Sequence, residues 1–291
     1  MKLYKREVII NMNKIKLVTD SSCDLPKEII DKYNIDLIGL NVSFGEDSFV
    51  GGVDIDNETF YKKMREEKEL PKTSCPSPDR FIKSYECEEE SVLVLTLTSK
   101  LSATYSTAVL AKDMFIKENG NKKIEVIDTA SGSVGAGLLV IKAAELIEEG
   151  KTIDEIVKEI EKCKEEVVFY GALETLENAI KGGRISAIKG GIINALNFKV
   201  IIHITEGVVK PIDKARGEVR TLKKVLEYVD TNATNCEQKR LAIGHSNCLD
   251  KALKVKELIQ KNHKFKDVVI SEVGSVMGTY TAQGAILVSI L

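Results

Sequence analysis

Strand-length apolar runs alternate with longer helical patterns along most of the chain, and this alternation limits the fold more sharply than any other feature. Runs rich in Val, Ile and Leu occupy residues 15–19, 35–42 and 92–97, with helical patterns over 27–33 and 56–67 between them. Such an order is the signature of βαβ units and a parallel sheet. Residues 124–128 supply another strand, followed by a helix from about 133 to 149 that Gly150 ends, as a glycine at a helix C-terminus does. Thr152 and Glu155 have the spacing of a capping box, which opens a helix to about residue 164. After Glu166 the pattern changes. A strand over 167–172 is followed by a short helix-prone stretch over 176–180 and a break at Gly182-Gly183-Arg184, so a domain boundary is expected near residue 165. The expected fold class is α/β with two domains. The first, residues 14–165, is three-layered around a mainly parallel sheet. The second, residues 166–291, is a smaller α/β domain with a hairpin at Glu206-Gly207, helices over 221–232 and 249–262, and strands over 240–244 and 268–272. Residues 1–13 are expected to be an extension, because Met12-Asn13-Lys14 directly precedes the first strand; an upstream start codon accounts for residues 1–11 equally well.

Charge and cysteine usage narrow the function. With 42 basic and 44 acidic residues the net charge is −2, so bulk electrostatics offers no case for nucleic acid or an anionic membrane as partner. No apolar stretch is long enough to span a bilayer. Cys23, Cys75, Cys87, Cys163, Cys236 and Cys248 lie far apart with no CxxC pair, which argues against a structural zinc site and a disulfide framework. The reducing cytoplasm is the expected setting, since residues 8–10 are too short an apolar run for a signal peptide.

Two hydroxyl-rich turns, Thr73-Ser74-Cys75-Pro76-Ser77-Pro78 and Thr98-Ser99-Lys100-Leu101-Ser102-Ala103-Thr104-Tyr105, each precede a helical pattern. Helix N-termini leave N–H groups free and carry partial positive charge, so these turns suit a carboxylate or phosphate. Taken singly, N-capping is the commoner explanation. A third hydroxyl-rich turn, residues 274–284, resembles the first two, and three distant turns of one chemistry can converge on one anion across a domain interface. Catalytic devices are missing from the sequence: there is no GxSxG, HExxH, Walker A or GxGxxG pattern. His203 lies in an apolar strand and reads as a core histidine, His263 reads as solvated, and His245 sits just past a strand end, where ligand groups gather in α/β folds. Asp20 also lies past a strand end, with Asp24 and Pro26 reading as a helix entry. Gly132, Gly135 and Gly137 read as helix packing. Arg184 and Arg216 read as exposed basic positions open to a partner.

Six motifs in one order carry a family resemblance: VTDSSCDLP (18–26), TSCPSP (73–78), SKLSATY (99–105), IDT (127–129), GGRIS (182–186) and GSVMGTYT (274–281). From residue 14 onward the chain resembles the DegV family of fatty-acid-binding proteins. The resemblance implies two α/β domains with one long-chain fatty acid, such as palmitate, between them, its carboxyl group held by hydroxyls and its tail in an apolar tunnel. By that resemblance Thr73 and Ser102 match the carboxyl-binding hydroxyls, with Ser74 and Thr279 as neighbours. Members that serve a fatty acid kinase present the acid for phosphorylation, and the segments around Arg184 and Arg216 match basic stretches facing that kinase. The implied protein is a carrier with no catalytic residue, no metal and no cofactor beyond the bound acid. Such kinase-serving members commonly have histidine where this chain has Tyr280. A tyrosine hydroxyl still donates a hydrogen bond but carries no positive charge, so carboxylate binding survives while the kinase partnership is left open. Ala103 stands where glycine is usual, and residues 197–205 lack a common Lys-Pro dipeptide. The alternative from another class is an α/β hydrolase or acyltransferase with Ser102 as nucleophile, and a base beside that serine is what it requires.

Overall fold

The computed structural model describes residues 15–185 and 198–291. The expected extension therefore lies outside the described residues. In chain order the elements are β1 (Ile15–Asp20), α1 (Lys27–Lys32), β2 (Asp36–Ile38), β3 (Asn41–Phe44), β4 (Asp47–Val50), α2 (Asn57–Glu66), β5 (Lys72–Ser74), α3 (Pro78–Tyr85), β6 (Ser91–Thr96), α4 (Thr104–Asn119), β7 (Lys123–Asp128), α5 (Ser133–Glu148) and α6 (Ile153–Glu166). The second half follows with β8 (Val168–Leu173), α7 (Glu177–Lys181), β9 (Phe198–Thr205), β10 (Val208–Arg216), α8 (Glu218–Asn232), β11 (Arg240–His245), α9 (Leu249–Gln260), β12 (Asp267–Glu272), α10 (Ser275–Thr281) and β13 (Ile286–Ile290).

Strands β2-β1-β6-β7 form a fully parallel sheet. Its central strand β6 is buried at every position, and its side chains divide by the two-residue period of a strand. Val92 and Val94 pack with Phe81, Tyr85 and Ala108 of α3 and α4 on one face. Leu93 and Leu95 pack with Leu139, Ala143 and Ile156 of α5 and α6 on the other. Helices on both faces make this half three-layered. The second half holds the larger sheet, β10-β9-β8-β13-β11-β12, antiparallel throughout except for the β11–β12 pair. Its hairpin turns at Glu206 (φ 54°) and Gly207 (φ 77°), the left-handed pair that a two-residue hairpin turn favours. The protein is thus α/β, with two sheet-centred bodies.

One apolar run conceals two strands. Residues 35–42 read as a single strand, yet β2 joins the parallel sheet while β3 joins a separate antiparallel sheet of order β4-β3-β5. The chain leaves one sheet for the other at Gly39, where an added Cβ would lie 2.9 Å from the Gly51 carbonyl oxygen. Hydropathy is continuous across such a crossing and does not reveal it. The third hydroxyl-rich segment likewise differs from expectation: residues 275–281 form the helix α10, not a turn.

Helix α5 lies between the two bodies. Leu139, Val140 and Ala143 face the parallel sheet, while Val134, Leu138 and Ile141 join a cluster with Phe169, Ile202 and Leu287 of the antiparallel sheet. A helix with apolar residues on more than one face is packed on more than one side. Its glycines permit the closest approaches: a Cβ on Gly137 would sit 2.7 Å from the Cys23 carbonyl oxygen and 2.9 Å from Leu25 Cδ2. Gly137→Ala should therefore lower stability by about 1–3 kcal/mol through overpacking. Thermal unfolding measures this, and an unchanged or higher Tm would contradict the close contact.

Candidate functional site

Strand β5 and helix α10 meet at the end of α5 where the two bodies diverge. Alternation along β5 points Thr73 inward and Ser74 outward. Ser74 accepts a hydrogen bond from Asn41 Nδ2 at 3.0 Å on the far side. Thr73 Oγ1 lies 2.5 Å from the hydroxyl of Tyr280. The Tyr280 ring rests against Gly182, where a Cβ would fall 2.4 Å from the ring, and the Arg184 guanidinium lies 4.9 Å from its centroid on a cation–π contact. Arg184 is held in turn by the carbonyls of Leu101 (3.2 Å) and Gly182 (2.7 Å). Next to Leu101, Ser102 Oγ lies 2.8 Å from Thr104 Oγ1 and accepts the Thr104 N–H at 3.3 Å.

Thr73, Ser102, Arg184 and Tyr280 line one end of a cavity of about 660 Å³ that opens to solvent. It is a narrow slot. Beyond the hydroxyls its walls are apolar, with Phe169 and Leu173 of β8, Ile202 and Ile204 of β9, Met277 of α10 and Leu287 of β13. Arg184 is the one charged side chain in the described lining.

Neither Thr73 nor Ser102 occupies an N-cap position. Those of α3 and α4 are Ser77 and Ala103, and neither makes a side-chain capping bond, although Ser102 accepts the N–H of Thr104, the first residue of α4. Of the residues singled out in the sequence, Thr73, Ser102, Tyr280 and Arg184 come together at the cavity. Ser74 and Thr279 do not line it: Thr279 is buried and returns its hydroxyl to the Ser275 carbonyl at 2.8 Å. Arg184 is half-buried in the lining, not simply exposed, whereas Arg216 is exposed at the end of β10. Ser186, in the fifth motif, falls outside the described residues. The apolar wall residues escaped notice singly; their signal is the two-residue alternation in β8 and β9.

Each histidine is engaged elsewhere. His203 Nδ1 bonds the Phe169 carbonyl at 2.8 Å and its ring stacks on Tyr170. His245 Nδ1 accepts the Cys248 N–H at 3.3 Å, and burial pushes its imidazole below the ordinary range. His263 is not simply solvated, since Nε2 lies 2.6 Å from Asp230 Oδ1. Ser102 thus has no histidine base beside it.

Two buried carboxylates behind the site were legible only in part. Asp20 accepts the N–H groups of Ser22 (3.0 Å) and Leu97 (2.7 Å), which fixes the end of β6 against the end of β1. Asp24 is no helix entry. It adopts a left-handed backbone (φ 48°) and accepts hydrogen bonds from Ser133 Oγ at the start of α5 and from the Gly274 N–H at 2.8 Å before α10. Burial pushes the Asp24 carboxyl up to about 8, against the opposing pull of the Ser133 and Gly274 bonds.

Residues 14–291 match the model of the DegV family, described as an uncharacterised protein family. A DegV domain-containing protein of Clostridium acetobutylicum is 37% identical over 279 residues, 94% of this chain and 97% of that protein. A DegV family protein of Ruminococcus gnavus, solved with vaccenic acid, superposes with a TM-score of 0.90 at 32% identity, covering 95% of this chain and 99% of its own. The Streptococcus pneumoniae fatty acid kinase B3 protein loaded with linoleic acid superposes with a TM-score of 0.85 at 25% identity, covering 95% and 98%.

Asp24 generates a test. An unfolded aspartate titrates near 3.8, so between about pH 4 and pH 8 the folded protein retains a proton that the unfolded chain has lost, and this group's contribution to stability falls as pH rises. Asp24→Asn removes that titration. Urea unfolding at pH 5 and pH 8 should show the variant gaining stability relative to the parent protein at the higher pH, and a difference independent of pH would exclude it.

Proposed function

Because the chain belongs to the DegV family, we propose that it is a carrier that binds one long-chain fatty acid, such as palmitate, between an N-terminal domain of residues 14–165 and a C-terminal domain of residues 166–291. The observation that carries this reading is the distribution of polarity in the slot: hydroxyls and one guanidinium at one end, apolar walls along the rest. Of the hydroxyls in the Thr73–Tyr280 pair, one must donate to the other, which leaves one hydrogen for a ligand oxygen; Ser102 supplies a second donor when Thr104 Oγ1 donates to it. A narrow slot suits an unbranched chain, and each methylene buried contributes about 0.8 kcal/mol. Tail burial sets affinity and the hydroxyls set orientation. Acid-bound DegV relatives support the reading, with vaccenic acid in the Ruminococcus gnavus protein and linoleic acid in the Streptococcus pneumoniae protein.

The protein is a carrier, not an enzyme. Ser102 has a threonine hydroxyl as its neighbour where a hydrolase needs a base. The Streptococcus pneumoniae neighbour supports presentation of the bound acid to a fatty acid kinase, whose catalytic subunit would meet the exposed Arg216. Tyr280 gives the headgroup end a neutral donor, so this chain's exchange with such a kinase would rest on Arg184 and Arg216 for positive charge. Among the described residues no helix is long and apolar enough to cross a membrane, and the cysteine pattern favours a cytoplasmic setting.

Mass spectrometry of lipids extracted from the purified native protein should find a long-chain fatty acid, and a pocket holding no acyl chain would refute the carrier. Removing the Thr73–Tyr280 pair (Thr73→Ala with Tyr280→Phe) and removing Ser102 (Ser102→Ala) should each weaken binding by roughly 10- to 100-fold, since a hydrogen bond to a charged group contributes about 1.5–3 kcal/mol, with little loss of fold by circular dichroism. In a series of saturated acids, shortening the tail by two methylenes should cost about 1.6 kcal/mol, roughly fifteenfold in Kd. Affinity independent of length would place the tail outside the slot.

A further inference from the structure

Three side chains on the far face of the antiparallel sheet, remote from the lipid slot, meet in an arrangement that the carrier function does not use. Cys236 opens the single helical turn Cys236–Gln238 after α8. It belongs to the core cluster of α8 and α9, not to the cluster that lines the slot. Its Sγ lies 3.7 Å from His263 Nδ1, and His263 Nε2 lies 2.6 Å from Asp230 Oδ1 on α8. An ionised carboxylate only accepts hydrogen bonds, so Nε2 carries the imidazole proton and Nδ1 presents its lone pair to the thiol. Nucleophile, base and orienting carboxylate thus stand in the order that activated thiols require.

Burial pushes the Cys236 thiol up from its ordinary value. Ionisation of the thiol is therefore disfavoured without a proton acceptor at contact distance, which Nδ1 supplies. Cys236 is 8% exposed, and the flanking Asn235 and Gln238 line a polar groove at the surface. A reactant for so buried a thiol must be small.

We propose that Cys236 is a base-assisted nucleophile that reacts with small peroxides, with His263 as proton acceptor and Asp230 as the residue that positions the imidazole. The thiol proton passes to His263 Nδ1 as sulfur attacks one peroxide oxygen. An S–O bond forms and the O–O bond breaks. The departing hydroxide recovers the proton from His263 and leaves as water, so the sulfur is oxidised to sulfenic acid and hydrogen peroxide is reduced to water.

The test uses the full chain pulsed with hydrogen peroxide in the presence of dimedone, which traps sulfenic acid, with peptide mass spectrometry reading each cysteine. Cys75, a partly exposed thiol, serves as reference within the same molecule. Cys236 should be trapped faster than Cys75, and His263→Gln should slow it at least about tenfold, given what general bases contribute, with Cys75 unchanged. Asp230→Asn, at a carboxylate whose side chain is 43% exposed, should slow Cys236 in the same direction and keeps the test decisive if His263→Gln does not fold. Added imidazole should restore part of the rate in His263→Gly. A Cys236 rate no higher than that of Cys75, or one that stays level or rises when His263 is replaced, would overturn the proposal, because removal of a merely covering side chain uncovers the sulfur. The readout is independent of bound lipid.

Discussion

The burial of α5 on both sides is the constraint from which the rest of the architecture follows. A single helix cannot satisfy two sheets unless it turns an apolar face to each and is slender where each sheet comes closest. Twelve of its sixteen residues are buried, among them Gly135, Gly137 and three alanines. Leucine, isoleucine and valine fill the wide gaps while glycine serves the narrow ones. Because the helix holds the sheets apart along its length, they leave space at its N-terminal end. There a narrow slot runs between Leu97 and Met277 on one side and the strands β8, β9 and β13 on the other.

Holding two bodies apart creates a second problem, since backbone donors at the end of β6 and just before α10, and the Ser133 hydroxyl at the start of α5, are removed from water. Two aspartates, one ending β1 and one four residues beyond it, solve it together. Asp20 binds N–H groups within the first body, and Asp24 reaches across to the second through Gly274. Tyr61 adds a bond from its hydroxyl to the Val273 carbonyl at 2.8 Å. Buried carboxyl groups are tolerated when each finds hydrogen-bond partners. These do, and the same contacts set the position of α10 and hence of Tyr280.

Much of the fold was legible because its elements are long and strongly patterned. The βαβ alternation, the Thr152–Glu155 capping box and the Glu206-Gly207 hairpin all carry local signals. The break at Gly39 was not legible, because an apolar run looks the same whether its strand continues or changes sheet. The site was legible through its hydroxyls, which stand out against apolar strands, and Thr73, Ser102 and Tyr280 do meet at the slot. Ser74 and Thr279 share the chemistry and the neighbourhood, but strand alternation and helical phase turn them away. Asp24 was obscured by Pro26, which makes it resemble an ordinary helix start. His263 was obscured by its polar surroundings, since the partners that engage it are 33 and 27 positions away.

The Thr73–Tyr280 hydroxyl pair joins positions 207 residues apart, and the Asp24–Gly274 bond joins positions 250 apart. Closing segments of that length is slow to reward in folding, since the entropy is lost before the contact is gained. The strand nearest the C-terminal residue, β13, is moreover inserted between β8 and β11 in the middle of the second sheet. A chain emerging from the ribosome can assemble its parallel sheet early. The hydroxyl end of the slot and the wall contributed by Leu287 come together only once the segment through β13 has been made, so a nascent chain that stops short of β13 has an incomplete slot.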